Sequence, residues 1–189
     1  MTRVVFLNGA SSAGKTSLGT RLQNRLSEPY LLLGLDTCFG MVPPRWGSGG
    51  DRRHEGFAYA ARPDEDGRPV TAIEYGDVGR RILTGFHRAV VELATAGNRV
   101  IVDEMLLDEQ VRDDWTARLA PLDPLLVGVY CGLDELERRE RDRRNPPGLS
   151  RWSARRAHVG MDYDLTVDTT GTGPAACAES IVEVLAAAG

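Results

Sequence analysis

Short runs of consecutive apolar residues alternate along the chain with segments whose apolar residues recur every three or four positions. The runs predict buried strands at residues 3–8, 30–35, 99–103, 125–131 and 165–168. The segments between them predict helices at about 17–26, 77–96, 108–119, 133–144 and 175–188. Continuous apolar strands that alternate with helices are typical of a parallel sheet covered on both faces. The pattern therefore predicts an α/β fold.

Residues 39–74 interrupt this alternation with a stretch rich in Gly, Pro, Arg and Asp. A structureless loop of this length is uncommon in a compact domain, so we expect an inserted functional element. Two stretches within it, 57–60 and 68–73, flank Asp66 and Gly67, a pair typical of a hairpin turn. The aromatic residues of this region either line a pocket for a bulky small molecule or form a small core of the insertion: Trp46, Phe57, Tyr59 and Tyr75.

Composition narrows the class of protein. With 189 residues, of which 42% are hydrophobic and 26% charged, the chain predicts one globular domain over residues 1–189. The net charge of -4 argues against nucleic acid or an anionic membrane as the main partner. The first residues do not predict a signal peptide, and no apolar run has the length of a membrane span. The three cysteines match no metal-binding spacing, which favours reduced thiols and a cytoplasmic location.

The segment GASSAGKT, from Gly9 to Thr16, matches the phosphate-binding pattern G-x-x-x-x-G-K-[ST] between a predicted strand and a predicted helix. Glycine permits the backbone angles that turn successive N–H groups inward, and the helix N-terminus adds partial positive charge. Lys15 supplies a compact cation for the β- and γ-phosphates, and the Thr16 hydroxyl reaches Mg²⁺. Lys15 is also the only lysine among the 23 Lys and Arg residues. We predict an ATP site formed by Gly9, Ala10, Ser11, Ser12, Ala13, Gly14, Lys15, Thr16 and Ser17.

Two aspartates end predicted strands, at the edge where parallel sheets bind ligands. Asp103 occupies the position of an acidic residue that holds Mg²⁺, and its alternative role is to cap the next helix. The adjacent Glu104 is expected to point elsewhere. Asp36 can accept the proton of a substrate hydroxyl that attacks the γ-phosphate, and its alternative role is in a turn or helix cap. Asp36 lies beside the phosphate loop if the first two strands are neighbours.

Arg139 and Arg143 share one face of the charged helix predicted at 133–144. Either they clamp phosphate from a lid at about 139–160, or the helix is solvated and laced with ion pairs. The solvated interpretation is the better one for Arg138, Arg141 and Arg144. The three histidines stand alone, and we interpret each of them as structural rather than catalytic: His54, His87 and His158.

Six segments in chain order carry a resemblance to a known family: FLNGASSAGKTS, LGLDT, VIVDE, VGVYC, E-x-R-E-x-x-R at 137–143, and YDLTVDTT. Together they resemble the chloramphenicol phosphotransferase family. The resemblance implies a three-layer P-loop kinase fold with a five-stranded parallel sheet, helices on both faces, an inserted substrate element and an Arg-rich lid. It implies ATP and Mg²⁺ as cofactors and the hydroxyl of a small antibiotic, such as chloramphenicol, as acceptor. It also implies that Asp36 is the general base, that Lys15 and Thr16 serve ATP and Mg²⁺, and that Arg139 and Arg143 are lid arginines.

Two other functions stay open at this point. One is a regulatory protein whose nucleotide state controls a partner that binds residues 39–74. The other is a kinase of a nucleoside or sugar metabolite. Asp36 separates an enzyme from a regulator, because only phosphoryl transfer to an alcohol needs an acceptor base.

Overall fold

The computed structural model describes residues 3–143 and 145–187. Within these ranges the strands are β1 (Val4–Asn8), β2 (Tyr30–Gly34), β3 (Phe57–Pro63), β4 (Pro69–Tyr75), β5 (Arg99–Glu104), β6 (Leu125–Tyr130) and β7 (Leu165–Asp168). The helices are α1 (Lys15–Arg25), α2 (Leu35–Gly40), α3 (Asp77–Thr95), α4 (Glu109–Leu119), α5 (Leu133–Arg143), α6 (Leu149–Ala154) and α7 (Pro174–Ala187). Five strands form one parallel sheet in the order β2-β5-β1-β6-β7, which confirms the predicted α/β fold.

Alternate residues of the central strand β1 face two different layers of helices. Val4 and Phe6 belong to a core that includes the buried faces of α3 and α4. Val5 and Leu7 belong to a second core that includes the buried faces of α1, α5 and α7. The sheet is therefore covered on both faces, as expected for strands that are apolar at every position. Among the described helices, none is both long and apolar enough to cross a membrane.

The position of β2 differs from the condition stated for Asp36. β5 lies between β1 and β2, so the idea that the first two strands are neighbours is wrong. Val100, Ile101 and Val102 of β5 are fully buried and suit an interior strand, whereas Leu31 of β2 is 39% exposed and suits the edge. Consecutive strands are usually neighbours in a sheet. Here β5 lies inside the sheet instead, because it is the strand that is buried on both faces.

The insertion contains an antiparallel hairpin formed by β3 and β4. Its turn is centred where the sequence predicts it, and Asp64 Oδ1 accepts hydrogen bonds from the backbone N–H groups of Asp66 and Arg68 at 2.9 and 2.8 Å. The two strands are longer than the predicted stretches because their pairing continues to Pro63 and Pro69 at one end and to Phe57 and Tyr75 at the other.

Candidate active site

A cleft with about 720 Å³ of empty space lies beyond the carboxyl ends of β1, β2 and β5. Five residues of the predicted phosphate loop line it: Ser11, Ser12, Gly14, Lys15 and Thr16. Asp36, Asp103 and Arg143 line the same cleft. The fold therefore brings together the predicted phosphate, metal, base and lid groups, although they are up to 132 positions apart, from Ser11 to Arg143. Gly9, Ala10, Ala13, Ser17 and Arg139 do not belong to its lining.

The phosphate loop turns sharply between β1 and α1. Gly9 packs so closely against β6 that a Cβ atom there would collide with the carbonyl oxygen of Val129. Ser12 and Gly14 both adopt left-handed backbone angles, with φ of 66° and 91°. A left-handed angle is uncommon for a residue such as Ser12. Successive right- and left-handed residues are typical of backbone concavities that bind anions, so the loop has the shape needed to hold phosphate.

Lys15, Thr16 and Asp103 form a compact polar group at the floor of the cleft. Lys15 Nζ donates a hydrogen bond to the carbonyl oxygen of Ala10 at 2.9 Å and lies 3.9 Å from Asp103 Oδ1. Thr16 Oγ1 donates to Asp103 Oδ2 at 2.5 Å. Mg²⁺ prefers oxygen ligands and usually takes only one or two from protein, the rest being water and phosphate. The hydroxyl and carboxylate present here fit that preference.

Asp36 lies in the first turn of α2, not at the end of a strand. The predicted strand 30–35 is one residue too long, because β2 ends at Gly34 and α2 begins at Leu35. Gly34 pairs with Asp103 across the sheet, and a Cβ atom on Gly34 would collide with the Asp103 carbonyl oxygen. This close approach brings Asp36 into the cleft although β5 separates β2 from β1. The helix has a sequence signal that we missed, since Leu35, Cys38 and Phe39 have helical spacing.

Glu104 points away from the cleft, as expected. Its side chain is 1% exposed, and it accepts hydrogen bonds from the Met105 backbone N–H and from Trp115 Nε1, both at 2.9 Å. Burial raises the pKa of Glu104 to about 7. The residue therefore connects β5 to the core formed by α4, while its neighbour Asp103 faces the polar group.

The two predicted lid arginines occupy different positions. Arg143 lines the cleft. Arg139 lies behind the phosphate loop, where it donates to Glu135 at 2.7 Å and to the Thr169 carbonyl oxygen at 2.6 Å. Its Nη1 is also 3.5 Å from the carbonyl oxygens of Ser12 and Ala13. Arg139 thus contacts the back of the phosphate loop, and Arg143 lies in front of the loop, in the lining of the cleft.

The other arginines of α5 fit the solvated interpretation where the structure describes them. Arg138 forms ion pairs with Glu135 and Asp142 at 2.7 Å, and its side chain is 55% exposed. Arg141 is exposed. Arg144 lies outside the described residues.

The chain after α5 holds residues that the sequence analysis missed. The connection predicted at 145–160 contains the short helix α6. The buried carboxylate of Glu140, on α5, accepts hydrogen bonds from the backbone N–H groups of Gly148 and Ser150 at 2.7 and 2.6 Å. Ser150 Oγ donates to the Ser11 carbonyl oxygen at 3.2 Å, and the Ser11 N–H donates to Ser153 Oγ at 2.9 Å. These bonds fasten α6 to the phosphate loop. Helical spacing of Leu149, Trp152 and Ser153 is the signal, which the nearby prolines obscured.

The hairpin of the insertion packs against this same segment. Thr71 Oγ1 on β4 donates to the Pro147 carbonyl oxygen at 2.8 Å. Arg155, just after α6, lies 3.6 Å from Asp64 and also forms an ion pair with Asp66 at the hairpin turn. The hairpin and α6 therefore form one joined wall beside the cleft.

The aromatic residues of the insertion divide between the two roles left open above. Phe57 is buried against Phe39, with ring centroids 4.8 Å apart, and belongs to the core. Tyr59 lines the cleft. Tyr75 donates a hydrogen bond to Asp108 at 2.5 Å. Trp46 lies in a short 3-10 turn beside Arg52, whose guanidinium is 5.1 Å from its ring.

The two histidines packed around the sheet have partners outside the cleft. His87 is buried, which lowers its pKa, and its Nδ1 lies 2.6 Å from Asp114 Oδ2. His158 stacks on Tyr130 at 4.0 Å and bonds to the Tyr163 hydroxyl at 2.8 Å, and burial lowers its pKa to about 4. Neither ring lines the cleft.

Asn8 is a further residue that the sequence analysis missed. It is fully buried at the end of β1, directly before the phosphate loop. Its amide donates to the Ala157 carbonyl oxygen at 2.5 Å and to the Tyr163 hydroxyl at 2.6 Å, and its oxygen accepts from the Leu106 N–H at 3.3 Å. Asn8 thus joins the start of the loop to the segments after β5 and α6.

Comparison with known proteins identifies the family. A family model described as chloramphenicol phosphotransferase-like protein matches residues 2–186. The chain belongs to this family. It is 30% identical over 171 residues to a protein of Mycobacterium tuberculosis strain H37Rv named "Putative O-phosphotransferase Rv2636", a match that covers 90% of this chain and 76% of the relative. The resemblance stated from the sequence segments is therefore confirmed, and the protein is an enzyme of the phosphotransferase class.

Solved kinases share the fold at low sequence identity. The APS kinase CysC of Mycobacterium tuberculosis, in complex with AMPPNP and APS, is similar with a TM-score of 0.66 at 15% identity, over 97% of both chains. Shikimate kinase from Acinetobacter baumannii, in complex with shikimate, is similar with a TM-score of 0.59 at 14% identity, over 99% of this chain and 94% of that one. The fold of this chain is accordingly that of P-loop kinases.

Glu140→Gln tests the fastening of α6. Glutamine has one acceptor oxygen, so one of the two buried N–H groups loses its partner, and we expect the free energy of unfolding to fall by about 1–3 kcal/mol. Urea denaturation measures the change. Asp142→Asn is the matched control, since Asp142 is exposed and pairs only with Arg138 in the described structure; its effect should stay below about 1 kcal/mol. Equal losses in the two variants would contradict the prediction.

Proposed function

We propose that the protein is an ATP-dependent kinase that transfers the γ-phosphate to a hydroxyl group of a small molecule. The proposal is carried by one observation: Asp36 lines the same cleft as Lys15, Thr16 and Asp103. A nucleotide-binding regulator needs the last three residues but has no use for a further carboxylate in the lining of the same cleft. Antibiotics such as chloramphenicol are the first acceptors to test, followed by nucleosides and sugars, and we expect the enzyme to work in the cytoplasm.

The phosphate loop and Lys15 position the nucleotide in this mechanism. The loop from Gly9 to Ser17 holds the phosphates through backbone N–H groups at the start of α1. The N–H groups of Gly9, Ser11 and Ala13 do not take part, because they donate to the Glu104 carbonyl oxygen, to Ser153 Oγ and to the Ala10 carbonyl oxygen. Lys15 is 8% exposed, so its charge is little screened by water and acts strongly on a bound phosphate. Thr16 and Asp103 would hold Mg²⁺, which supplies charge neutralisation on the phosphate oxygens when it is bound.

Asp36 orients the acceptor hydroxyl and takes its proton. The acceptor oxygen forms a bond to the γ-phosphorus, the bond from that phosphorus to the β–γ bridging oxygen breaks, and ADP leaves. Arg143 stabilises the negative charge on the transferred group from the lid side. Arg139 acts as a positioning residue, because it contacts the carbonyl oxygens at the back of the loop.

The acceptor end of the cleft is mainly apolar. Phe39, Tyr59, Ile73, Met105 and Leu149 line it beside Asp36. Phe39, Tyr59 and Ile73 also line an adjoining recess with about 480 Å³ of empty space, whose lining contains no charged side chain. These walls favour an acceptor whose reacting hydroxyl is attached to an apolar or aromatic body.

Lys15→Met tests nucleotide use. Loss of the cation should lower kcat/KM for ATP by about a hundredfold or more, while the fold is kept. ATP turnover and circular dichroism measure the two properties. Arg21→Met removes a cation from an exposed position of the same helix and should leave turnover unchanged. Unchanged turnover in Lys15→Met would contradict the proposal.

Asp36→Asn separates the kinase from the regulator. We expect binding of Mg²⁺·AMPPNP to stay within about twofold, while phosphoryl transfer to the acceptor falls by about 10²–10⁴-fold. Calorimetry measures binding, and mass spectrometry of the acceptor measures transfer in a screen of antibiotics, nucleosides and sugars. Asp77→Asn, at an exposed position, is the control. Full transfer activity in Asp36→Asn would exclude the proposed base.

Asp103→Asn tests the metal site. The loss of a negatively charged ligand should raise the Mg²⁺ concentration needed for half-maximal AMPPNP binding by about tenfold or more. A magnesium titration of nucleotide binding measures it. Asp134→Asn, at an exposed position of α5, should leave the titration unchanged. An identical metal requirement in Asp103→Asn would remove Asp103 from the site.

A further inference from the structure

A second cavity adjoins the cleft and has no role in the mechanism above. This outer groove holds about 1,080 Å³ of empty space between β4, the segment after β5, and α6. Buried Ile73, Leu107 and Trp152 form its floor, and the exposed residues Arg62, Arg80 and Arg156 stand around it: all six line the cavity.

The outer groove continues the acceptor end of the cleft along the same elements. Ile73 of β4 lines both cavities. After β5, Met105 lines the cleft and Leu107 lines the groove, two positions further on. On α6, Leu149 lines the cleft and Trp152 lines the groove, almost one helical turn away. The cleft and the outer groove are therefore neighbours along three elements, with Ile73 between them.

The charges around the groove are unequally compensated. Each of the three acidic residues in its lining already has a partner: Glu74 lies 3.5 Å from Arg62, Glu109 lies 2.9 Å from Arg112, and Asp108 accepts hydrogen bonds from the Val111 N–H and the Tyr75 hydroxyl. Arg80 and Arg156, in contrast, form no ion pair with any residue of 3–143 or 145–187. Asp108 keeps its negative charge, because both of its donors are neutral, so the lining contains two arginines and one carboxylate outside ion pairs within the described residues.

Aromatic rings hold these two cations at the groove. The Arg156 guanidinium lies 5.4 Å from the Trp152 ring, and the Arg80 guanidinium lies 5.7 Å from the Tyr75 ring and donates to the Gln110 side chain. Stacked arginines keep donors available for planar or tetrahedral oxyanions. In addition, the buried Trp152 indole N–H has no hydrogen-bond acceptor among the described residues. This N–H is itself shielded, so it can report a change at the groove without contacting the ligand.

We propose that the outer groove binds the far end of the acceptor, and that this end carries a carboxylate, sulfonate or phosphate group. The inference rests on the proposed function, because it treats the cleft as the place of phosphoryl transfer. The acceptor then has three parts: a hydroxyl near Asp36, an apolar body against Ile73, and an oxyanion between Arg80 and Arg156. An acidic hydroxyl compound of this kind should be preferred over a neutral one with the same body.

Binding of small probes tests the groove without a known acceptor. Benzoate, benzenesulfonate and phenyl phosphate are titrated against the neutral benzamide, with saturating Mg²⁺·AMPPNP present to occupy the phosphate loop. The NMR signal of the Trp152 indole N–H, assigned with Trp152→Phe, reports binding at the groove. We expect at least one anion to bind fivefold or more tightly than benzamide, and the strongest of the three identifies the preferred oxyanion.

Arginine variants locate the binding. Arg156→Gln and Arg80→Gln should each weaken the best anion at least fivefold, whereas Arg88→Gln, at an exposed position of α3 outside the groove lining, should not. Equal affinity for anions and benzamide overturns the proposal, and so does equal weakening in the Arg88→Gln control. The NMR readout needs no turnover. Failure of the groove proposal can therefore be distinguished from failure of the proposed kinase activity.

Turnover gives the complementary result once a screen finds an acceptor. Arg156→Gln should raise KM for an acidic acceptor at least fivefold and leave kcat and the KM for ATP unchanged. For the corresponding amide of that acceptor, the same variant should not change KM. Transfer to neutral acceptors that is as efficient as transfer to acidic ones would overturn the groove assignment and leave the kinase assignment intact.

Discussion

The phosphate loop keeps an unusual backbone shape because groups from three other parts of the chain bind to its back. Ser12 and Gly14 are left-handed, and the carbonyl groups this arrangement turns outward need partners in a buried setting. Thr169, after β7, donates to the Ala13 carbonyl oxygen at 2.8 Å, and Arg139 of α5 lies 3.5 Å from the same atom. Ser153 of α6 accepts from the Ser11 N–H. The shape of the candidate phosphate site therefore depends on the sheet and its connections as well as on the eight-residue pattern.

Close backbone packing places Asp36 and Asp103, the two carboxylates of the candidate site. β2 is an edge strand and lies two positions from β1, so Asp36 is further from the phosphate loop in the sheet order than strand succession suggests. Because Gly34 carries no side chain, β2 approaches β5 at Asp103 and turns at once into α2. Asp36, at the start of α2, and Asp103, on β5, consequently line one cavity. A larger residue at position 34 would push β2 away from β5. The two carboxylates would then move apart, although neither carboxylate group is itself changed.

Most of the fold and half of the residues that line the cleft can be predicted from the sequence, because they depend on local patterns. Strands that are apolar at every position and the phosphate pattern depend on local residues only, and the parallel sheet, Lys15, Thr16 and Asp103 follow from them. The strand order does not follow from local residues, because it depends on which strand is buried on both faces. The roles of Glu140, Ser150 and Asn8 are likewise hidden, since each depends on partners distant in sequence. Prolines at 146 and 147 also predict a loop where α6 follows within two residues.

The joined wall of hairpin and α6 has a consequence for how such enzymes change their acceptors. Thr71 and Pro147 are bonded across 76 positions of sequence, and Arg155 reaches the hairpin turn. An exchange of residues 39–74 with those of a relative would leave these contacts unmatched unless the stretch from 147 to 155 came with it. Under the proposed function, a change of acceptor is therefore expected to need paired replacement of these two distant segments, and chimeric enzymes should be assembled from both together.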